Sequence, residues 1–511
     1  MSGFVSIVGA GPWDPELLTL AGRDRLARAD VVIVDYLVNP AQLVHCRPDV
    51  IIHQRVRGPH DGVKLNQARV NELMVEHASR SQYVVRLKGG DPMIFGRGAE
   101  EAAYLREHGI DYEFVPGVSS AIAGPETAGI PVTHRDHTPA VSIISGFEAY
   151  EKAGLAVAWN HLANGAGTLV LLMSVKNCGA NAQKLIDAGR DPSTPAAVIR
   201  WGTRGIQRTV VATLSDIGER VAEAGIRPPA ILVVGEVVAL REQIKWFERR
   251  PLHGKRVVVT RASHQAASLI RRLSAAGADA VPFPCLAFEA PEDSAPLQEA
   301  VARLEGGIIL SSPNAVNHFC DALLAAGRDL RALAGITIAS IGTGTAAACR
   351  ARGLHPDLIP DKARSEGLVE LMRVRGLLEQ RWMHFRADEG RSLLQEAIEG
   401  AGGGYELVVA YRTVRPQLPS LLLRSLAPVP EGGEAYDAIC FASGKTARHF
   451  LESTSEALGE ASARSALAAA KVVAIGPVTA DAIGALGVRV DAIAEARDDA
   501  AMVAAVVDAL R

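Results

Sequence analysis

The spacing of a metal site is missing from this 511-residue chain. Its six cysteines, Cys46, Cys178, Cys285, Cys320, Cys349 and Cys440, form no CxxC pair and have no histidine at zinc spacing. That pattern fits reduced thiols in a cytosolic protein and argues against a structural metal. No apolar run approaches the ~20 residues of a membrane span, and the opening MSGFVSIVGAG runs straight into a strand. Nor is one sign of charge in excess. The 54 Lys and Arg against 57 Asp and Glu leave −3, so nothing points to a nucleic-acid footprint or a polybasic membrane surface, and any anionic ligand is left to local clusters. An intact GxGxxG is absent too: in GAGPWD the third glycine position is Asp14, so a dinucleotide reading is weak. From these absences a soluble, cytoplasmic protein is expected.

What is present is organised around YVVRLKGGDPMIFGRG, Tyr83 to Gly98. A short apolar strand, Val84 to Leu87, breaks at Lys88-Gly89-Gly90-Asp91-Pro92. The paired glycines let backbone approach a ligand with no Cβ in the way, and Pro92 stops the strand. Similar loops recur along the chain. Phe4 to Val8 enters GAGPWDPELLTLAG, where Gly9 and Gly11 permit a tight turn, Asp14 caps the next helix and Pro15 sits in its first turn. VVIVD ends on Asp35, at the strand end where open α/β sheets collect ligands. YEFVPGVSSAIAG reads as strand, Gly-Ser loop and helix. Further strands are Val141 to Ile144, Thr168 to Met173, Ala196 to Ile199 and Ile231 to Val234, with Met173 and Trp201-Gly202-Thr203 at strand ends. Each loop alone is a plain strand terminus, but four of them in one unit of ~240 residues point to a ligand site.

GAGPxDPELLTL, VVxxDxLV, VVRLKGGDPxIFGRG, VPGVSSA, AGIPVTHR, TPAAVIRWGT and PPAILVVGEVV together resemble the uroporphyrinogen-III C-methyltransferases of the tetrapyrrole methylase superfamily, over residues 3–247. The resemblance implies a two-lobed α/β enzyme with S-adenosylmethionine in a cleft between lobes. It places the cofactor-binding positions on Pro12, Gly89, Gly90, Asp91, Ile94, Ser119, Ser120, Met173 and Gly202, and the proton acceptor on Asp35. Methyl transfer from a sulfonium to a pyrrole carbon needs positioning and local negative potential more than a strong base, and backbone carbonyls and Asp91 suit that need. Three positions depart from the family pattern. Trp13 stands where glycine is usual, Ser145-Gly146-Phe147 replaces Thr-Gly-His, and Arg55 in QRVRG stands where a lysine proton donor is expected. Arginine does not give up its proton, so Arg55 is read as pairing with a substrate carboxylate; the local register is open by a residue or two, which puts Arg57 or Lys64 at the expected lysine's position.

Val237 to Arg256 leaves the last strand as a short charged helix and breaks at Pro251 and Gly254. Beyond it the sequence repeats at long period. KRVVVTRASHQAASLIRRLSAAGADAVPFP returns as RWMHFRADEGRSLLQEAIEGAGGGYELVVAYRT, GIILSSPNAVNHF as AICFASGKTARHF, and ITIASIGTGTAAACRARG as KVVAIGPVTADAIGALG. A duplication of this length predicts two similar α/β domains rather than a solenoid. VVVTR, SSPNAV, IGTGTA, SEGLVELM, AYRTV and AIGPVTA resemble uroporphyrinogen-III synthase, from Lys255 to Ala494. The resemblance implies cofactor-free closure of hydroxymethylbilane with inversion of the last ring. It also implies two domains joined by a ladder near Ala280 to Phe288 and Val408 to Val414. Tyr411 would then assist the leaving hydroxyl, and Ser311, Thr345, Ser443 and Thr479 would donate hydrogen bonds to substrate. The plainer role for those four hydroxyls is capping the helices that follow them.

The expected fold class is α/β: a two-lobed methylase fold over 1–247, a linker at 248–254, and a synthase region over 255–511. Within that region the first doubly wound domain takes 255–285 with 415–511, and the second takes 286–414. The expected activity is methylation of uroporphyrinogen III at carbons 2 and 7 to precorrin-2, on the routes to sirohaem and cobalamin, by a chain that also makes uroporphyrinogen III. The alternative is a methyltransferase acting on another corrin precursor, fused to a silent tetrapyrrole-binding module. By resemblance the methyltransferase half forms a homodimer. With no GxGxxG-bearing dehydrogenase segment in the sequence, neither NAD-dependent oxidation nor iron insertion is expected.

Overall fold

The computed structural model describes residues 3–47, 49–54, 65–146, 157–165, 167–362, 364–418, 422–423, 426 and 435–511. It divides into two compact units, Met1–Pro284 with Leu418–Arg511, and Cys285–Gln417.

The first sheet comprises β1 (Phe4–Gly9), β2 (Val31–Val34), β3 (Ile51–Gln54), β4 (Tyr83–Lys88) and β5 (Asp111–Val115), all parallel in the order β3-β2-β4-β1-β5. Runs such as VVIV carry no polar alternation because helices cover both faces. Val70, Leu73 and Met74 of α2 (Gln67–Ser79) and Leu105 of α3 (Gly98–Glu107) pack on Val5, Ile7, Val31, Ile33 and Val84. Leu26 of α1 (Leu20–Arg28) packs on the alternate residues Val8, Val32, Val34, Val85 and Leu87. Parallel alignment sends the carboxyl ends of β1, β2, β4 and β5 to one edge, and the loops that follow them open there.

The second sheet, β6-β7-β10-β8-β9, is mixed and takes β6 (Val141–Ser145), β7 (Thr168–Leu172), β8 (Pro195–Arg200), β9 (Arg208–Thr213) and β10 (Ala230–Val234). Because β10 runs antiparallel to both β7 and β8, Met173, Trp201 and the start of β10 share one edge. Helix α4 (Ser120–Thr127) buries Ala121 against Val170, Ile199 and Ile231.

The third sheet begins with the parallel pair β11 (Arg256–Val259) and β12 (Asp279–Pro282). The chain then builds the second unit from β13 (Ala287–Glu289), β14 (Gly307–Leu310), β15 (Thr337–Ser340), β16 (Trp382–Ala387) and β17 (Tyr405–Val414), in the order β13-β17-β16-β14-β15. It returns with β18 (Ala438–Phe441) beside β11, followed by β19 (Lys471–Ala474) and β20 (Ala492–Ile493), to give β12-β11-β18-β19-β20. The expected ladder from Ala280 to Phe288 is split. Ala280 pairs in parallel with Val257 in the first unit, and only Ala287–Glu289 pair antiparallel with Arg412–Val414, inside the second unit's own sheet. Pro282 and Pro284 remove backbone donors between these segments, so one continuous ladder cannot form. Among the described residues no helix is long and apolar enough to cross a membrane.

Candidate functional site

A cavity of about 510 Å³ lies where the carboxyl-end loops of the first two sheets converge, within the ~300–1,000 Å³ typical of small-molecule sites. Pro12, Gly89, Gly90, Asp91, Ile94, Ser119, Ser120, Met173 and Gly202 all line it, and so does Asp35. The catalytic candidate Arg55 lies outside the described residues, as do Arg57, Lys64 and Phe147.

The loops are tied together mostly through backbone. Gly90, at φ +69°, donates to the Gly11 carbonyl at 2.9 Å, and Gly11 donates back to Gly90 at 3.2 Å. Asp91 is the clamp: one carboxylate oxygen accepts from the Met93 N–H at 2.8 Å and the other from the Gly117 N–H at 3.0 Å, fastening the loop after β4 to the loop after β5. Ser119 caps α4, its hydroxyl accepting from the Ala121 N–H, so the helix starts at the cavity edge. Gly202 has no alternative, since a Cβ there would lie 2.8 Å from the Gly124 Cα of α4. The Thr203 hydroxyl donates to the Pro12 carbonyl and joins the second sheet's loop to the first. Among the described residues, seven non-glycine residues have left-handed backbone, and five of them, Trp13, Phe95, Arg97, Met173 and Trp201, line this cavity. Strain of this kind, of order 1–3 kcal/mol at each position, concentrates where surroundings hold a site in shape.

Beneath the loops is a buried charge network. Arg86 and Glu101 are each 0 % exposed. Glu101 Oε1 accepts from Arg86 Nε at 3.2 Å, from Lys88 Nζ at 2.8 Å and from Gln67 Nε2 at 2.8 Å. The other arm of Arg86, Nη2, donates to Asp35 Oδ1 at 2.7 Å. Burial pulls the Arg86 guanidinium down, but Asp35 and Glu101 outweigh it and its pKa stands above the ordinary arginine value. Burial first, and Arg86 second, hold the Lys88 ammonium below its ordinary value against the pull of Glu101. Two cations face two carboxylates, and Glu101 is the acid buried with both, so removing it leaves Arg86 and Lys88 short of a partner, at a cost of about 3–5 kcal/mol. The network fixes Asp35 at the cavity with its side chain 19 % exposed, accessible to a ligand yet held on one side. Sequence reading missed these partners. Their signal was two cations two residues apart, and so on one strand face, inside an otherwise apolar run.

The candidates of the second half are placed differently. Tyr411 is 6 % exposed in the core of the second unit, its ring stacked on His318 and its hydroxyl 3.0 Å from Ser312 Oγ. Ser311 follows β14 but caps nothing; Ser312 does, accepting from the Ala315 N–H at 3.1 Å. Thr345 is buried in the first turn of helix Thr343–Ala351, where its hydroxyl donates to the Ile341 carbonyl at 3.1 Å. Thr479 occupies the same position in helix Pro477–Gly484. The expectation that these two cap their helices is corrected: Gly342 and Gly476 hold the cap positions, with Gly342 at φ +88°, a conformation open to glycine. Ser443 does cap, accepting from the Thr446 N–H at 3.2 Å in a reciprocal capping box. Ser311, Thr345 and Tyr411 belong to the second unit, Ser443 and Thr479 to the first.

The sequence matches the tetrapyrrole (corrin/porphyrin) methylases over residues 5–218 and uroporphyrinogen-III synthase HemD over residues 267–504. It is 37 % identical to the porphyrin biosynthesis protein HemD of Ruminiclostridium josui, over 70 % of this chain and 71 % of the relative. It is 41 % identical to a uroporphyrinogen-III C-methyltransferase of Bacillus subtilis, over 65 % of this chain and 68 % of the relative. An S-adenosyl-L-methionine-dependent uroporphyrinogen III methyltransferase of Methanosarcina barkeri is 46 % identical over 47 % of this chain and 94 % of its own length. Among solved structures, the uroporphyrin-III C-methyltransferase of Thermus thermophilus complexed with S-adenyl homocysteine is 38 % identical, covering 47 % of this chain and 100 % of that one, with a TM-score of 0.39. The chain belongs to the tetrapyrrole methylases through its amino-terminal half and to the uroporphyrinogen-III synthases through its carboxyl-terminal half.

Proposed function

We propose that the cavity of the first unit is where methyl groups pass from S-adenosylmethionine to carbons 2 and 7 of uroporphyrinogen III, giving precorrin-2. Residues 255–511 close hydroxymethylbilane to uroporphyrinogen III, so one half makes what the other consumes. The observation that carries the reading is the convergence of ten loop residues on one cavity, with the Asp35 carboxylate fixed there by buried Arg86. When bound, the donor supplies an electrophilic methyl on a sulfonium. The Cβ-free stretches at Gly89, Gly90 and Gly202 let backbone lie against it, and the amino end of α4 suits its carboxylate. The exposed side chains of Tyr36, Ile94, Phe95 and Met173 offer the macrocycle an apolar face. Asp35 accepts the proton that a methylated pyrrole gives up, and Arg55 pairs with a substrate carboxylate. In the second unit Tyr411 assists the leaving hydroxyl, and Ser311 of the same unit holds the substrate. The protein acts in the cytoplasm as a homodimer through its methyltransferase half, and light scattering is expected to show two chains per particle.

Feeding the full chain hydroxymethylbilane with methyl-labelled S-adenosylmethionine tests both halves at once. The expected product is labelled and of the type III series. A type I product alone overturns the synthase assignment, and unlabelled type III product overturns the methyltransferase assignment.

A further inference from the structure

Trp13 and Trp201 stand on the cavity wall with left-handed backbones, φ +67° and +53°, and meet edge to face with ring centroids 6.2 Å apart. Between them lies Arg204, its guanidinium carbon 4.1 Å from one ring centroid and 4.6 Å from the other. Arg204 is 5 % exposed, and nothing in the amino-terminal half supplies its counter-charge among the ion pairs of the described residues. Its partner is Asp279, the first residue of β12 and 1 % exposed. Arg204 Nε and Nη2 donate to the two Asp279 oxygens at 2.7 and 2.9 Å. Arg256 of β11 donates to the same carboxylate at 3.0 Å. The Gly254 N–H donates to the Gly205 carbonyl at 2.8 Å, and a Cβ on Gly205 would lie 2.2 Å from the Ala278 carbonyl carbon, so the loop after Trp201 is pressed directly against the start of β12.

Two-point pairing fixes the plane of a guanidinium, and that plane decides how the cation faces an aromatic ring. We infer that Asp279, from the carboxyl-terminal half of the sequence, is a positioning residue for the methyl-donor cavity: it orients Arg204, which in turn holds Trp13 and Trp201 as one wall. The inference rests on the reading of the cavity as the S-adenosylmethionine site. It explains how Trp13, where the family usually has glycine, sits in a backbone conformation that glycine prefers: the ring is held from behind. It also makes donor affinity depend on β11 and β12 being folded in place.

The test is calorimetric titration of S-adenosylhomocysteine into the full chain, with Asp279→Asn, Asp279→Glu and Arg204→Lys, each alone and with Trp13→Gly. Lysine keeps the charge beside Asp279 but not the planar fork, so Arg204→Lys serves even where Asp279→Asn does not fold. Asp279→Asn and Arg204→Lys are each expected to weaken binding about tenfold, the scale of a lost cation–π arrangement. Asp279→Glu is expected to recover some of that loss. In the Trp13→Gly background each substitution should weaken binding by a smaller factor, because only Trp201 is then left for Arg204 to hold. Folded variants with parental affinity, or the same loss with and without Trp13, overturn the inference while leaving the donor site standing. A parental chain that binds no S-adenosylhomocysteine overturns both.

Discussion

Asp35→Asn is expected to abolish methyl transfer and to leave S-adenosylhomocysteine affinity within about twofold of the parent. The carboxylate sits at the end of β2 on the cavity wall, with Arg86 Nη2 at 2.7 Å. Asparagine has the same shape and still offers Arg86 a carbonyl acceptor, and Arg86 keeps Glu101, so the cavity persists. What is lost is the ability to take a proton, a contribution of ~10²–10⁴ to rate for a positioned acid or base. Methyl-labelled donor and uroporphyrinogen III measure turnover, and calorimetry measures retention. An asparagine variant turning over at near-parental rate would remove Asp35 from the proton-accepting role. Loss of both turnover and affinity would make it a structural member of the network instead.

Asp91→Ala is expected to show the opposite signature, with the donor no longer retained. Both Asp91 oxygens accept from backbone N–H groups, those of Met93 and Gly117, and the second bond joins two cavity loops. Hydrogen bonds to a charged acceptor contribute ~1.5–3 kcal/mol each, so losing two releases the Gly89–Gly90 turn from the start of α4 and weakens S-adenosylhomocysteine by 10²-fold or more, at ~1.4 kcal/mol per tenfold. The strands that end at Lys88 and Val115 pair with β1 along their whole length and do not depend on the clamp, so circular dichroism should remain parental. Affinity within threefold of the parent would show that the donor does not rely on this junction.

The α/β class was legible because covered parallel strands leave a plain trace. VVIV, FVSIVG and GIIL are almost wholly apolar, and each is followed by a turn or loop where the pattern breaks. The loops that line the cavity were legible for a related reason, since glycine pairs mark places where backbone must come close. Pairing was not legible. Nothing local indicates that Arg86 reaches Asp35 across 51 positions, or that Arg204 reaches Asp279 across 75, because burial periodicity records what is covered and not by what. Ser312 was overlooked although a signal existed: in the internal repeat it aligns with Ser443, and both accept from the third N–H of the helix that follows. The capping roles given to Thr345 and Thr479 failed because a glycine at the start of each helix, Gly342 and Gly476, takes the cap itself and leaves the threonine inside the first turn.

The convergence of the loops after β1, β4, β5, β7 and β8 on one donor site is tested most directly by a crystal structure of the full chain soaked with S-adenosylhomocysteine. The expected result is one ligand per chain in this cavity, against the backbone of Gly90 and Gly202 and beside Asp91, with the Asp35 carboxylate left facing the remaining space. A ligand bound elsewhere, with this cavity empty, would contradict the account.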